Sequence, residues 1–121
     1  MQQILIVDDD PDILDALQFV LEDAGYTVQS SQSGEDAEAI IRAKLLPRLI
    51  ILDVLLSGKD GRDICRKLKL NKLTKLIPVM MISAHPAIKK SVFAAGADAF
   101  ISKPFNITDL LQKTKELLST A

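Results

Sequence analysis

Carboxylates gather at two points of this sequence. Asp8, Asp9 and Asp10 stand in a row after Ile4-Leu5-Ile6-Val7, and Asp53 ends the run Leu49-Ile50-Ile51-Leu52. A hydroxyl, Ser83, follows Val79-Met80-Met81-Ile82, and an ammonium, Lys103, follows Ala99-Phe100-Ile101-Ser102. Crowded carboxylates repel one another, and one must take up a proton unless a cation is present. Hard oxygen donors with room for water suit Mg²⁺, whereas zinc would want His and Cys. The one histidine, His85, reads as a polar residue at a helix start. A metal beside a free carboxylate suits phosphoryl transfer, because the cation neutralises phosphate charge while an anionic oxygen attacks in line. A lysine and a hydroxyl on the opposite side would hold the remaining oxygens.

For this chemistry the residues must meet. The runs before Asp8, Asp53 and Ser83 are apolar throughout, the habit of a strand buried on both faces of a parallel sheet, and Ala99-Phe100-Ile101-Ser102 reads as a further strand. Tyr26-Thr27-Val28-Gln29-Ser30 alternates and suits an edge strand. Helical spacing fills the gaps. Asp10-Pro11 reads as N-cap and N1 of a first helix with Ile13, Leu17, Val20, Leu21 and Ala24 inward and Gly25 as its stop. Ser33-Gly34-Glu35-Asp36 opens a second, with Ala37, Ile40, Ile41 and Leu45 inward and Pro47 closing it. Asp60 caps a third that buries Ile64, Cys65 and Leu68. Pro86 begins a short fourth. Asn106, with Asp109, caps a fifth carrying Leu110, Leu111, Thr114, Leu117 and Leu118 inward.

Five strands alternating with five helices predict an α/β fold, a parallel sheet covered on both sides. Strand order 2-1-3-4-5 places the first and third strands side by side at the switch point, where open sheets of this kind hold their ligands. Asp8, Asp9 and Asp53 then leave neighbouring strand ends, with Ser83 and Lys103 on the same rim.

The chain has 121 residues and a formal net charge of −1. That is one domain, 1–121, with no case from charge for a nucleic-acid or membrane surface. The single cysteine excludes an internal disulfide, and Cys65 reads as packing. Met1-Gln2-Gln3 leads straight into a strand and no apolar run nears the ~20 residues of a membrane span. A cytoplasmic protein is expected. Arg62, Arg66, Lys67, Lys69, Lys72 and Lys75 make one region basic, read as a solvated face before a docking patch.

Taken together, Ile4-Leu5-Ile6-Val7-Asp8-Asp9, Leu52-Asp53, Asp60-Gly61, Met81-Ile82-Ser83-Ala84, Gly96-Ala97-Asp98-Ala99-Phe100 and Lys103-Pro104-Phe105 resemble the receiver domain of two-component response regulators over the whole chain. The resemblance implies the flavodoxin-like sandwich. Asp53 would accept a phosphoryl group from the phosphohistidine of a sensor histidine kinase or phosphotransfer protein. Asp9, Asp53 and the backbone carbonyl of Leu55 would bind Mg²⁺, with Asp8 acting directly or through water. Ser83 and Lys103 would hold the phosphoryl group, and the Lys103-Pro104 peptide would be cis. Ser83 and Phe100 would switch the surface of the fourth helix, fifth strand and fifth helix, which could also serve a dimer. Its output, a separate partner or a fused domain, is open, and direct nucleic-acid or membrane binding is not expected.

Two positions depart from the family pattern. Ser57 stands where proline is usual four residues after the acceptor, and Phe100 where tyrosine is also common, which favours an inward ring. Leu55 and His85 would flank the phosphoryl group, and an apolar Leu55 gives an attacking water no help, so slow self-dephosphorylation is expected. Other readings stay open at this point. One is a metal-dependent phosphohydrolase with Asp8 as nucleophile and Asp10 as acid. Another is a receiver-shaped module that is never phosphorylated. A flavin binder is disfavoured by the acidic loop after the first strand.

Overall fold

The structure, a computed structural model, describes residues 4–35, 39, 46–56 and 58–119. In chain order the elements are β1 (Ile4–Val7), α1 (Pro11–Asp23), β2 (Val28–Ser31), β3 (Leu49–Asp53), β4 (Leu55–Leu56), β5 (Lys59–Asp60) and α2 (Gly61–Leu70). They continue with β6 (Val79–Ser83), a 3₁₀ turn (Pro86–Ile88), α3 (Lys89–Ala94), β7 (Ala99–Ser102) and α4 (Ile107–Ser119). The main sheet is parallel with order β2-β1-β3-β6-β7, the expected 2-1-3-4-5 of its five strands. Gly34 and Glu35 are helical, while the predicted inward stripe Ala37, Ile40, Ile41 and Leu45 lies outside the described residues, as does Ser57.

Both faces of the sheet are covered, which is why its central strands carry aliphatic residues at every position. Leu5, Val7, Ile50, Leu52 and Met81 pack with Ile64, Cys65, Leu68 and Val92 on one side. Ile4, Ile6, Leu49, Ile51 and Ile82 pack with Leu14, Leu17, Leu21 and Leu110 on the other. Cys65 is buried, and that burial pushes its thiol pKa up, consistent with packing.

The caps are those the sequence predicts. Asp10 Oδ1 accepts from the Asp12 amide, Asp60 Oδ1 from Arg62 and Asn106 Oδ1 from Asp109. Gly25 takes φ +100°, where a side chain would be strained. Three features differ from expectation. Leu14 joins the inner face of α1, whereas Ala24 is exposed. The Val54–Lys59 loop contains the two-residue β4–β5 hairpin, with Leu55 opposite Asp60. The fourth helix starts as a 3₁₀ turn and is only six residues long thereafter.

Three of the six basic side chains, Arg62, Arg66 and Lys69, are paired, Arg66 only along the exposed face of its own helix. Lys69 Nζ donates to Asp98 Oδ2 and to the Ile77 carbonyl, both at 2.8 Å, and Arg66 pairs with Asp63 at 2.7 Å. Those contacts support the reading of a solvated helix face with structural ties.

Candidate functional site

Strand register brings the acids together. Val7 lies opposite Leu52 and Asp53 opposite Ile82, so Asp8 emerges one step beyond β1, beside the end of β3. Ser83 lies opposite Ser102, which delivers Lys103 to the same rim. One carboxylate oxygen from each of Asp8, Asp9 and Asp53 falls within 4.8 Å of the others. Asp8 and Asp53 are buried and Asp9 is half-buried.

Lys103 reaches between two of these acids. Its Nζ is 2.9 Å from Asp8 Oδ2 and 3.2 Å from Asp53 Oδ2. Asp8 Oδ1 accepts the Asp10 amide at 2.9 Å, whereas Oδ2 is sealed from solvent and has the ion pair but no directed hydrogen bond. The Leu55 amide donates to Asp53 Oδ1 at 3.4 Å. Burial, then the charge of Asp8, raises the Asp53 pKa from 3.8 to about 6, against the pull of Lys103. For Lys103 the largest influence is burial, which disfavours its charge. Asp8 and Asp53 together outweigh it, and the pKa is raised.

One ammonium against three clustered acids leaves an excess of negative charge. The all-oxygen donor set and the incompletely bonded Asp8 Oδ2 therefore fit a hard divalent cation such as Mg²⁺. Asp10 takes no part, because its carboxylate is occupied as the α1 cap and stands exposed. An Asp8/Asp10 nucleophile–acid pair consequently finds no support in this geometry.

Ser83 is buried, and its Oγ accepts the His85 amide at 3.0 Å, while its carbonyl accepts the Lys103 amide at 2.9 Å. The His85 side chain is exposed, caps nothing and is outside the acid cluster. Leu55 stands 55% exposed at the rim. Phe100 is buried, as its missing hydroxyl led us to expect, and borders a groove of about 380 Å³ that also touches Pro86, Lys89, Pro104, Asn106 and Lys113. The Lys103-Pro104 peptide is cis.

Gly61 has a role that the sequence alone did not disclose. Its amide donates to the Val54 carbonyl at 2.7 Å, and a Cβ there would run into the carbonyl oxygen of Asp53. The start of α2 is pressed against the backbone that carries the Asp53 side chain. The Asp60-Gly61 pair was a visible signal, but not its contact.

Residues 4–115 match the family described as the response regulator receiver domain. The chain is 39% identical over 120 residues to the "DNA-binding dual master transcriptional regulator RpaA" of Synechocystis, covering 98% of this chain and 49% of that protein. Among solved structures it is similar to the receiver domain of NtrX from Brucella abortus, with TM-score 0.88 and 35% identity over 98% of this chain and 100% of that one. It is also similar to the receiver domain of a signal transduction histidine kinase from Syntrophus aciditrophicus, with TM-score 0.91 and 34% identity over 100% and 92%. The chain spans about half the length of the Synechocystis relative and of three further curated ones, two named PhoB and one PhoP. These relatives correct one expectation, that nucleic acid is excluded as a partner, since they are DNA-binding or transcriptional regulators by name. A charge of −1 describes these 121 residues only and carries no information about an output elsewhere in such regulators. Among the described residues no helix is long and apolar enough to cross a membrane.

Proposed function

The chain belongs to the response regulator receiver domain family, the phospho-accepting switch of two-component signalling, and from that premise we propose that Asp53 is its acceptor. The observation that carries this is the meeting of Asp8, Asp9 and Asp53 around Lys103 at one sheet rim. Asp53 Oδ2 would attack the phosphorus of a kinase phosphohistidine, whose nitrogen departs as the P–N bond breaks. Asp9, Asp53 and the Leu55 carbonyl would hold Mg²⁺, with Asp8 direct or through water. When bound, that ion supplies charge neutralisation for the phosphoryl oxygens. Lys103 already lies within reach of Asp53 and would pair with a phosphoryl oxygen there, and Ser83 would donate its hydroxyl to another.

Switching then follows from what Ser83 gives up. Drawn toward the phosphoryl group, its Oγ leaves the His85 amide, and Phe100 moves into the space vacated. The α3–β7–α4 surface changes population between two shapes. Where this switch governs a DNA-binding output, as the name of the Synechocystis relative indicates for that protein, that surface would transmit the state.

The test is intact mass after incubation with acetyl phosphate and Mg²⁺. One phosphoryl group should add to the wild-type chain and none to Asp53→Asn. An unmodified wild type, or a modified Asp53→Asn of equal yield, rejects the assignment. Turnover of a simple phosphate ester by the chain would instead revive the hydrolase reading.

A further inference from the structure

Arg62 links two parts of the molecule that are far apart in sequence. Its guanidinium grips Asp60 in a fork, with Nε at 2.9 and 3.2 Å from the two carboxylate oxygens and Nη2 at 2.6 Å. The remaining nitrogen, Nη1, donates to Ser91 Oγ at 2.9 Å, on α3. Ser91 in turn donates to the Ile88 carbonyl at 2.8 Å, the last residue of the 3₁₀ turn. Asp60 is itself the hairpin partner of Leu55, whose amide bonds Asp53.

A second path from the rim ends at the same place. Ser83 Oγ accepts the His85 amide, and His85 leads directly into the 3₁₀ turn that ends at Ile88. One route leaves the acceptor through Leu55, Asp60 and Arg62, and the other leaves Ser83 through His85. They meet at Ile88 and Ser91.

The element between them is weakly held. Helix α3 has six residues, no side-chain cap, and Val92 as its one buried residue. Short uncapped helices depend on tertiary contacts for their order. The Asp60–Arg62 pair is partly exposed, so its value lies in orienting Arg62 more than in overall stability. A cross-element hydrogen bond from a charged donor is then a large share of what fixes α3.

We propose that Arg62 is a positioning residue, latching α3 in the resting protein through Ser91. Withdrawal of Ser83 from His85 shifts the 3₁₀ turn and releases the latch. The resting latch stands on its own geometry, and only its release rests on Asp53 being the acceptor.

Amide hydrogen exchange over residues 88–95 of the full chain tests it. In resting protein, Arg62→Met should speed exchange about tenfold, the loss of one charge-assisted hydrogen bond, and Ser91→Ala at least as much, since it also loses the bond to the Ile88 carbonyl. Ser91→Thr keeps the hydroxyl and should retain protection. Alanine is the better helix former, so propensity alone would slow exchange in Ser91→Ala, the opposite sign. The double variant should lose no more than Ser91→Ala alone, which already removes the hydroxyl that accepts from Arg62. Unchanged protection in Ser91→Ala, or additive losses in the double variant, overturns the latch. With acetyl phosphate and Mg²⁺, wild type should speed up over the same residues and Arg62→Met should show a smaller increment. A wild type that gains the phosphoryl mass without any change at α3 rejects release but not the acceptor. A wild type that gains no mass rejects the acceptor, and the resting arms still decide the latch.

Discussion

Lys103 Nζ lies 2.9 Å from Asp8 Oδ2, a carboxylate oxygen that solvent does not reach. The same ammonium is 3.2 Å from Asp53, so a single cation stands between two buried acids. Taking it away leaves charges that neither water nor another group neutralises.

Lys103→Met should therefore destabilise the metal-free protein by about 3 kcal/mol at pH 8. The loss should shrink at pH 5. Without the ammonium the Asp53 pKa climbs above its present value of about 6, and protonation there removes the repulsion. Urea unfolding at both pH values measures it. An equal loss at pH 5 and pH 8 would mean that the lysine stem, not its charge, holds the rim.

Asp53→Asn should do the reverse. A carboxyl whose folded pKa is raised from 3.8 to about 6 costs nothing below the lower value, where both states are protonated. The cost grows as pH rises through the interval and is complete above it. Removing the charge should stabilise metal-free protein by about 2–3 kcal/mol at pH 8 and by almost nothing at pH 3.5. Magnesium should invert the ranking, raising the melting temperature of wild type but not of Asp53→Asn. Thermal melts with and without the ion read both effects.

The rim was legible in the sequence because its strands have no alternation. Ile4–Val7 and Leu49–Leu52 had to be interior, and acids directly after interior strands had to share an edge. The caps Asp10, Asp60 and Asn106 were equally plain, since short-range side-chain-to-backbone bonds depend only on near neighbours. What stayed hidden depends on distance or brevity. Strands of two residues, β4 and β5, are too short to show a period. Thr74 looks like a polar loop residue among lysines, yet it is fully buried, donating to the Leu68 carbonyl at 2.6 Å. Arg62 and Ser91, 29 residues apart, each look like surface residues until the fold brings α2 and α3 together.

Gly61→Ala tests how closely α2 is pressed to the strand that carries Asp53. The added methyl meets the Asp53 carbonyl oxygen, which is backbone and has little room to yield, and Met81 Cε at 3.1 Å. Overpacking of this kind costs about 1–3 kcal/mol. Because the displaced atoms belong to Asp53, the rate of phosphorylation by acetyl phosphate should fall along with stability. A variant destabilised to that extent but phosphorylated at the wild-type rate would show that the clash is relieved away from the site.

With Asp53 as the proposed acceptor, Leu55 is expected to set how long a phosphoryl group stays. Its side chain stands more than half exposed at the rim, two residues after Asp53, while its amide faces the Asp53 carboxylate. Hydrolysis needs a water placed in line with the phosphorus and polarised as it attacks. A leucine offers neither an acceptor for that water's proton nor a hydrogen bond to orient it. Phosphorylated protein in Mg²⁺ should therefore persist for minutes or longer. Leu55→Gln adds an amide that can orient water from the same position, and should shorten the lifetime several-fold; an oriented water is worth about 1 kcal/mol, roughly fivefold in rate. Following the phosphoryl mass over time in both proteins gives the answer. A wild type that sheds the group within seconds, or a Leu55→Gln protein with an unchanged lifetime, would locate control of hydrolysis elsewhere on the rim.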